Sequence, residues 1–151
     1  MKLTNNEKGG FTDVIKLTYA DLIAIGTGGT KKIAMLPVGG AIELCGVLNT
    51  VDIVGSTSLV IDVGTTVADP NEFIDSLDVD GMAVNVPTYN TGVSFVQGAG
   101  TTTIEAGSLP AIGGATALPI YIKVTDSSIA SITAGEIVIG LRILNLAEFG
   151  A

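Results

Sequence analysis

The chain has 151 residues, enough for one domain that buries roughly two-thirds of the surface its unfolded form exposes. Its net charge is −8 and its seven basic residues are scattered, with only Lys31-Lys32 adjacent; this excludes a phosphate-neutralising surface for nucleic acid and a basic patch for an anionic membrane. With no histidine, no tryptophan and one cysteine, a Ser-His-Asp or Cys-His catalytic group and an internal disulfide are excluded as well, and no zinc site is expected.

Residues 1–12, MKLTNNEKGGFT, read as a mobile polar arm hinged at Gly9-Gly10, ahead of a single domain over 13–151. No apolar stretch follows Lys2, so no secretory signal is expected and the chain is read as made and matured in a cytoplasm. A first strand is expected over 13–18. Thr18 then stands as a cap before about one and a half helical turns in TYADLIAIG. The run KKIAMLPVGGAIELCGVLNT gives a strand over 32–37, a stop at Leu36-Pro37, a turn at Val38-Gly39-Gly40 and a long strand over 41–54. Cys45 sits in this apolar run and reads as a small core residue.

Leu59, Ile61 and Val63 alternate with Ser58, Val60 and Asp62, which predicts a strand over 58–63 with one face on a core. In ADPNEFIDSL, Asp69 is placed to cap, Pro70 suits the first helical position and Glu72 stands three after the cap, so a short helix is expected there. Further strands are expected over 82–87, 93–97 and 101–106. Ile120, Ile122 and Val124 mark a strand over 119–125. Ile137, Ile139, Leu141 and Ile143 mark one over 136–146, with Glu136, Val138, Gly140 and Arg142 on its other face. The apolar stretch 129–147 is broken by Glu136 and Arg142, which excludes a helical membrane span. Glycine clusters punctuate these runs, and eight or nine strands at this spacing predict an all-β antiparallel sandwich, jelly-roll-like, with one or two short connecting helices. Leu59, Ile61, Ile122, Val124, Ile139 and Leu141 are expected in its core.

The acids Asp69, Glu72, Asp75, Asp78 and Asp80 form the one concentrated ionisable feature. As a solvated loop beside a capped turn they need no ligand. As a cation site they would use Asp75, Asp78 and Asp80, but DVDG at 78–81 fails the EF-hand pattern, whose first and twelfth positions would be Ser76 and Pro87. A carboxylate pair for glycoside cleavage would need an aromatic-lined cleft, and the chain has seven Phe and Tyr in all. The glycine clusters lack the Lys-Ser/Thr partner of a phosphate loop. No catalytic residue, resident metal or cofactor is therefore assigned.

The strand-turn KKIAMLPVGGAIELCGVLNT, the segment STSLVIDVGTTVADPNEFIDS and the late pair ALPIYIKVT and TAGEIVIGLRILNL occur in an order that resembles jelly-roll capsid cement or decoration proteins of tailed bacteriophages. In that family an LP-x-G step leads into a long strand, a strand ending in DVG and an acidic segment follow, and the last strand comes after T-x-G. The resemblance runs over residues 13–146, apart from 82–100, which match nothing in it. It implies a non-catalytic virion protein on the capsid surface, made in the host cytoplasm and binding the major capsid protein of the shell. A homotrimer is expected, because 47% hydrophobic residues against 15% charged is more apolar surface than so short a chain hides alone. The arm is the candidate docking element, with Met1, Lys2, Leu3, Thr4, Asn5, Asn6 and Phe11 as its contact residues. The competing expectation is a sugar-binding head-fibre or tail module of the same fold, which would need an exposed aromatic platform; Tyr89, Tyr121, Phe73 and Phe95 are the nearby aromatics, with Phe95 expected in the core.

Overall fold

A computed structural model describes residues 10–94, 111–112 and 116–145. The first strand, β1 (Asp13–Thr18), runs into helix α1 (Tyr19–Ile25), as its cap predicts. The Thr18 hydroxyl accepts from the Asp21 N–H at 3.4 Å, and the Asp21 carboxylate accepts from the Thr18 N–H at 2.9 Å. Two of the orphan donors at the helix start are thereby satisfied. Gly26, at φ 78°, ends the helix by donating its N–H to the Leu22 carbonyl.

Strand β2 (Thr30–Leu36) stops at Pro37, the turn donates from Gly40 N–H to the Pro37 carbonyl at 2.9 Å, and β3 (Gly40–Val54) runs for 15 residues. After it come β4 (Val60–Gly64), β5 (Ile74–Asp78), and the two-residue strands β6 (Thr88–Tyr89) and β7 (Ala111–Ile112). The chain closes with β8 (Leu118–Thr125), a 3-10 turn over Ile129–Ser131, and β9 (Ala134–Asn145).

These strands form two antiparallel sheets, β1-β9-β3-β6, with β7 also on β3, and β2-β8-β4-β5. The pairing nests the first strand with the last, β1 with β9, then β2 with β8, β3 with β6 and β4 with β5. That is a long hairpin rolled over on itself, the jelly-roll wrap, and it makes the expected sandwich. The two inner faces meet in one apolar core in which all six expected core residues are fully buried, together with Phe73, Leu36 and Cys45. Burial pushes the Cys45 thiol well above its ordinary value, so the side chain is a packed apolar group.

Two expected elements are overturned. The ADPNEFIDSL segment is not a helix: its second half is β5, and Ser76 takes φ 50° inside it. Phe73 and Ile74 are both fully buried, and Phe73 N–H donates to the Val63 carbonyl at 2.9 Å, so pairing with β4 and burial override the local capping signal. Residues 82–87 are turns, because Asn85 takes φ 63° and donates its N–H sideways to the Asn49 carbonyl. Val93 and Ser94 also lie in a turn, whereas the rest of the strand expected at 93–97, that at 101–106 and Phe95 fall outside the described residues.

Three buried polar side chains brace the loops around this core. Asn49 donates from Nδ2 to the Val79 carbonyl at 2.5 Å. Asp126 accepts from Ser128 N–H at 2.9 Å and from Thr57 N–H at 3.4 Å, tying the β8–β9 connection to the β3–β4 connection. Asp62, on the outer face of its sheet, is 7% exposed and accepts from Ser76.

Candidate docking surface

Alternation on β1, β9 and β3 sends Leu17, Ile137, Ile139, Leu141, Cys45 and Val47 inward. Their neighbours therefore face out, and strand register places Val14, Gly140, Gly46 and Tyr89 side by side in one row across all four strands. The next row holds Lys16, Val138 and Leu48. The two adjacent glycines leave a hollow in the sheet, and two aromatic rings close on it. A Cβ at Gly140 would stand 2.8 Å from the Phe11 ring, and one at Gly46 would stand 2.6 Å from the Tyr89 ring. Pro87 and Asn85 complete the rim of a trough of about 430 Å³.

Charge is confined to the two ends of this trough. At one end Lys16 Nζ lies 3.1 Å from Glu136 Oε1, which also accepts from the Thr50 hydroxyl at 2.6 Å. The Thr50 hydroxyl, and after it Lys16, hold the Glu136 carboxyl below the usual carboxylate range. At the other end Arg142 Nε lies 3.1 Å from Glu43 Oε2. Each end is a neutral pair, six residues apart along β9, or about 20 Å. The floor of Val14, Gly46, Leu48, Val138 and Gly140 has no side chain that moves a proton. A surface that covered it would be held by the removal of apolar area from water, worth about 25 cal/mol for each Å² covered.

Of the expected docking residues, Phe11 is described, and it forms the wall of this trough; Met1, Lys2, Leu3, Thr4, Asn5 and Asn6 lie outside the described residues. Strand pairing starts just after Phe11, where Thr12 N–H donates to the Leu141 carbonyl at 2.9 Å. The glycine floor was not singled out from sequence, although an isolated glycine within a strand pattern, such as Gly140, signals close approach of another group.

The acidic stretch is spread out, not convergent. Asp69 lies 3.9 Å from Lys123, and Glu72 accepts from the Thr65 N–H and the Thr66 hydroxyl. Asp75 accepts from the Ser76 hydroxyl, while Asp78 turns back to accept from Asp80 N–H and Gly81 N–H. Among the described residues no group of three acids, histidines or cysteines is placed to hold a metal ion. The aromatic candidates are also dispersed. Tyr89 is exposed on the β1-β9-β3-β6 sheet, Tyr121 is half-buried on the opposite sheet, and Phe73, a candidate for the surface platform, is in the core, held there by its N–H on the Val63 carbonyl where β5 pairs with β4. Among the described residues no helix is long and apolar enough to cross a membrane. No protein-family model, curated protein or solved structure matches the chain.

Proposed function

We propose that the protein is a structural component of a bacteriophage virion, a cement protein that assembles as a homotrimer and decorates the outside of a capsid shell. The observation that carries the self-assembly in this reading is the trough: an apolar sheet face without proton-transfer groups on its floor, walled by Phe11. Such a face suits protein contacts and offers nothing to a chemical reaction. The sequence resemblance supplies the partner, the major capsid protein. Repetition over many equivalent shell sites makes a modest contact per copy sufficient.

Co-sedimentation with purified empty shells tests the reading. The full chain is expected to pellet with shells and to saturate at a fixed number of copies per shell. A variant lacking residues 1–10 is expected to keep its oligomeric state and to attach more weakly. Full-length protein that stays in the supernatant at every concentration would overturn the decoration reading, and equal attachment of the truncated chain would remove the arm from it.

A further inference from the structure

We infer that the trough is the socket of a contact between copies of this chain, and that the β2–β3 turn of a neighbouring copy fills it. The inference rests on the decoration reading for its ring of three and goes beyond it by naming both halves of the contact.

The socket is concave: Val14, Leu48 and Val138 line its floor, and the Phe11 and Tyr89 rings, packed over Gly140 and Gly46, wall it. Two such sockets placed face to face would leave a void, and atoms lining a void lose their packing partners. The occupant must therefore be convex, apolar and uncharged. The β2–β3 turn has those properties. Ten residues, 33–42, separate Lys32 from Glu43 without a charge. Val38 stands in the turn, 50% exposed, and Met35 on β2 and Leu144, which pairs with Ala41 of β3, are exposed as well. The tip is also rigid before any contact forms, because Pro37 fixes its own φ, Gly39 takes φ 69° and Gly40 N–H closes the turn onto the Pro37 carbonyl. A preformed knob loses little conformational entropy on docking.

Electrostatics points to the same pair of surfaces. Two copies that each carry −8 repel, so copies meet where acids are already neutralised. The trough is bounded by Lys16–Glu136 and Arg142–Glu43, and the turn carries no acid at all. A contact between unlike surfaces on identical chains is heterologous, and repeated around an axis it closes into a ring.

The test uses two full-length variants, Val38→Asp on the knob and Val138→Asp on the socket floor, each checked for folding by circular dichroism and melting. In sedimentation velocity at micromolar concentration the wild type is expected to run as three 15.2 kDa chains. Each variant alone is expected to self-associate at least about tenfold more weakly, the factor that corresponds to losing one buried aliphatic contact. Mixed together they are expected to form a 1:1 pair, since one copy still offers an intact knob and the other an intact socket. Wild-type-like assembly of folded Val38→Asp would overturn the inference, as would a mixture of folded variants that stays monomeric, or a monomeric wild type. A ring that forms in this way but leaves shells bare would sink the decoration reading alone, and a monomeric wild type that still coats shells would sink this contact and the trimer while leaving decoration standing.

Discussion

Ser76 donates its backbone N–H to the Asp62 carboxylate at 2.6 Å, from a left-handed conformation that sets two residues of β5, Asp75 and Ser76, against the single residue Asp62 of β4. The bulge bends the edge strand β5 and turns an acid that alternation sends outward into a buried brace.

That brace has a pH signature. Burial, with smaller contributions from Asp75 and Asp69, pushes the Asp62 carboxyl up, while the Ser76 N–H and Lys123 pull it down; the net direction is upward. A carboxyl held above its ordinary value binds its proton more tightly in the folded chain. Its contribution to stability is full below about pH 4 and is lost as pH rises through the folded value. Asp62→Asn keeps an acceptor oxygen for Ser76 and removes the charge. The variant is expected to melt higher than wild type at pH 7, with the gap closing as pH falls to 4. A lower melting temperature at pH 7 would show that the charge itself is favourable there.

The capping box at Thr18 has the opposite sign. The Thr18 N–H, and after it the hydroxyl, hold the Asp21 carboxyl below its ordinary value. Its contribution is present at neutral pH and is lost as pH falls through the carboxylate range. Thr18→Ala is expected to cost about 0.5–2 kcal/mol at pH 7, as the loss of a helix cap does. Denaturant titration at pH 7 and pH 3 should show the difference shrinking at the lower pH.

The core prediction separates the two faces of β9. Ile139 is fully buried between the sheets, so Ile139→Ala is expected to cost about 2–5 kcal/mol. Arg142, on the outer face and half-exposed in a surface pair with Glu43, is expected to cost about 0–1 kcal/mol when replaced by Ala. Equal losses in chemical denaturation would mean that the register of β9 is not the one described.

Local engagement of Asp69, Glu72, Asp75 and Asp78 predicts indifference to divalent cations. Melting curves with EDTA and with millimolar calcium are expected to coincide. A large shift that Asp78→Asn abolishes would place an ion in the 69–80 stretch.

Strands were legible wherever alternation met a single buried face. The bounds of β1 are those read from sequence, β8 starts one residue early and ends at the expected Thr125, and β9 starts two residues early. The helix after Thr18 was legible because its cap is local chemistry. The segment after Asp69 carried an equally good local signal, and it failed because Phe73 and Ile74 are claimed by partners elsewhere in the fold. Residues 82–87 failed for a related reason: MAVNVP alternates like a strand, but Asn85 turns the chain back toward Asn49. The trough was legible only in part. Phe11 was singled out, yet the row that joins Gly140 to Gly46 and Tyr89 exists through register between strands far apart in the chain, which no window of sequence contains.

The central claim is that this chain coats a capsid, and electron microscopy of virions purified with and without it is the most direct measurement. Particles that carry the protein are expected to show regularly spaced density on the outer surface of the head, at sites that are bare in particles lacking it. Heads of identical surface in the two preparations, with the protein absent from the purified virion, would contradict the account.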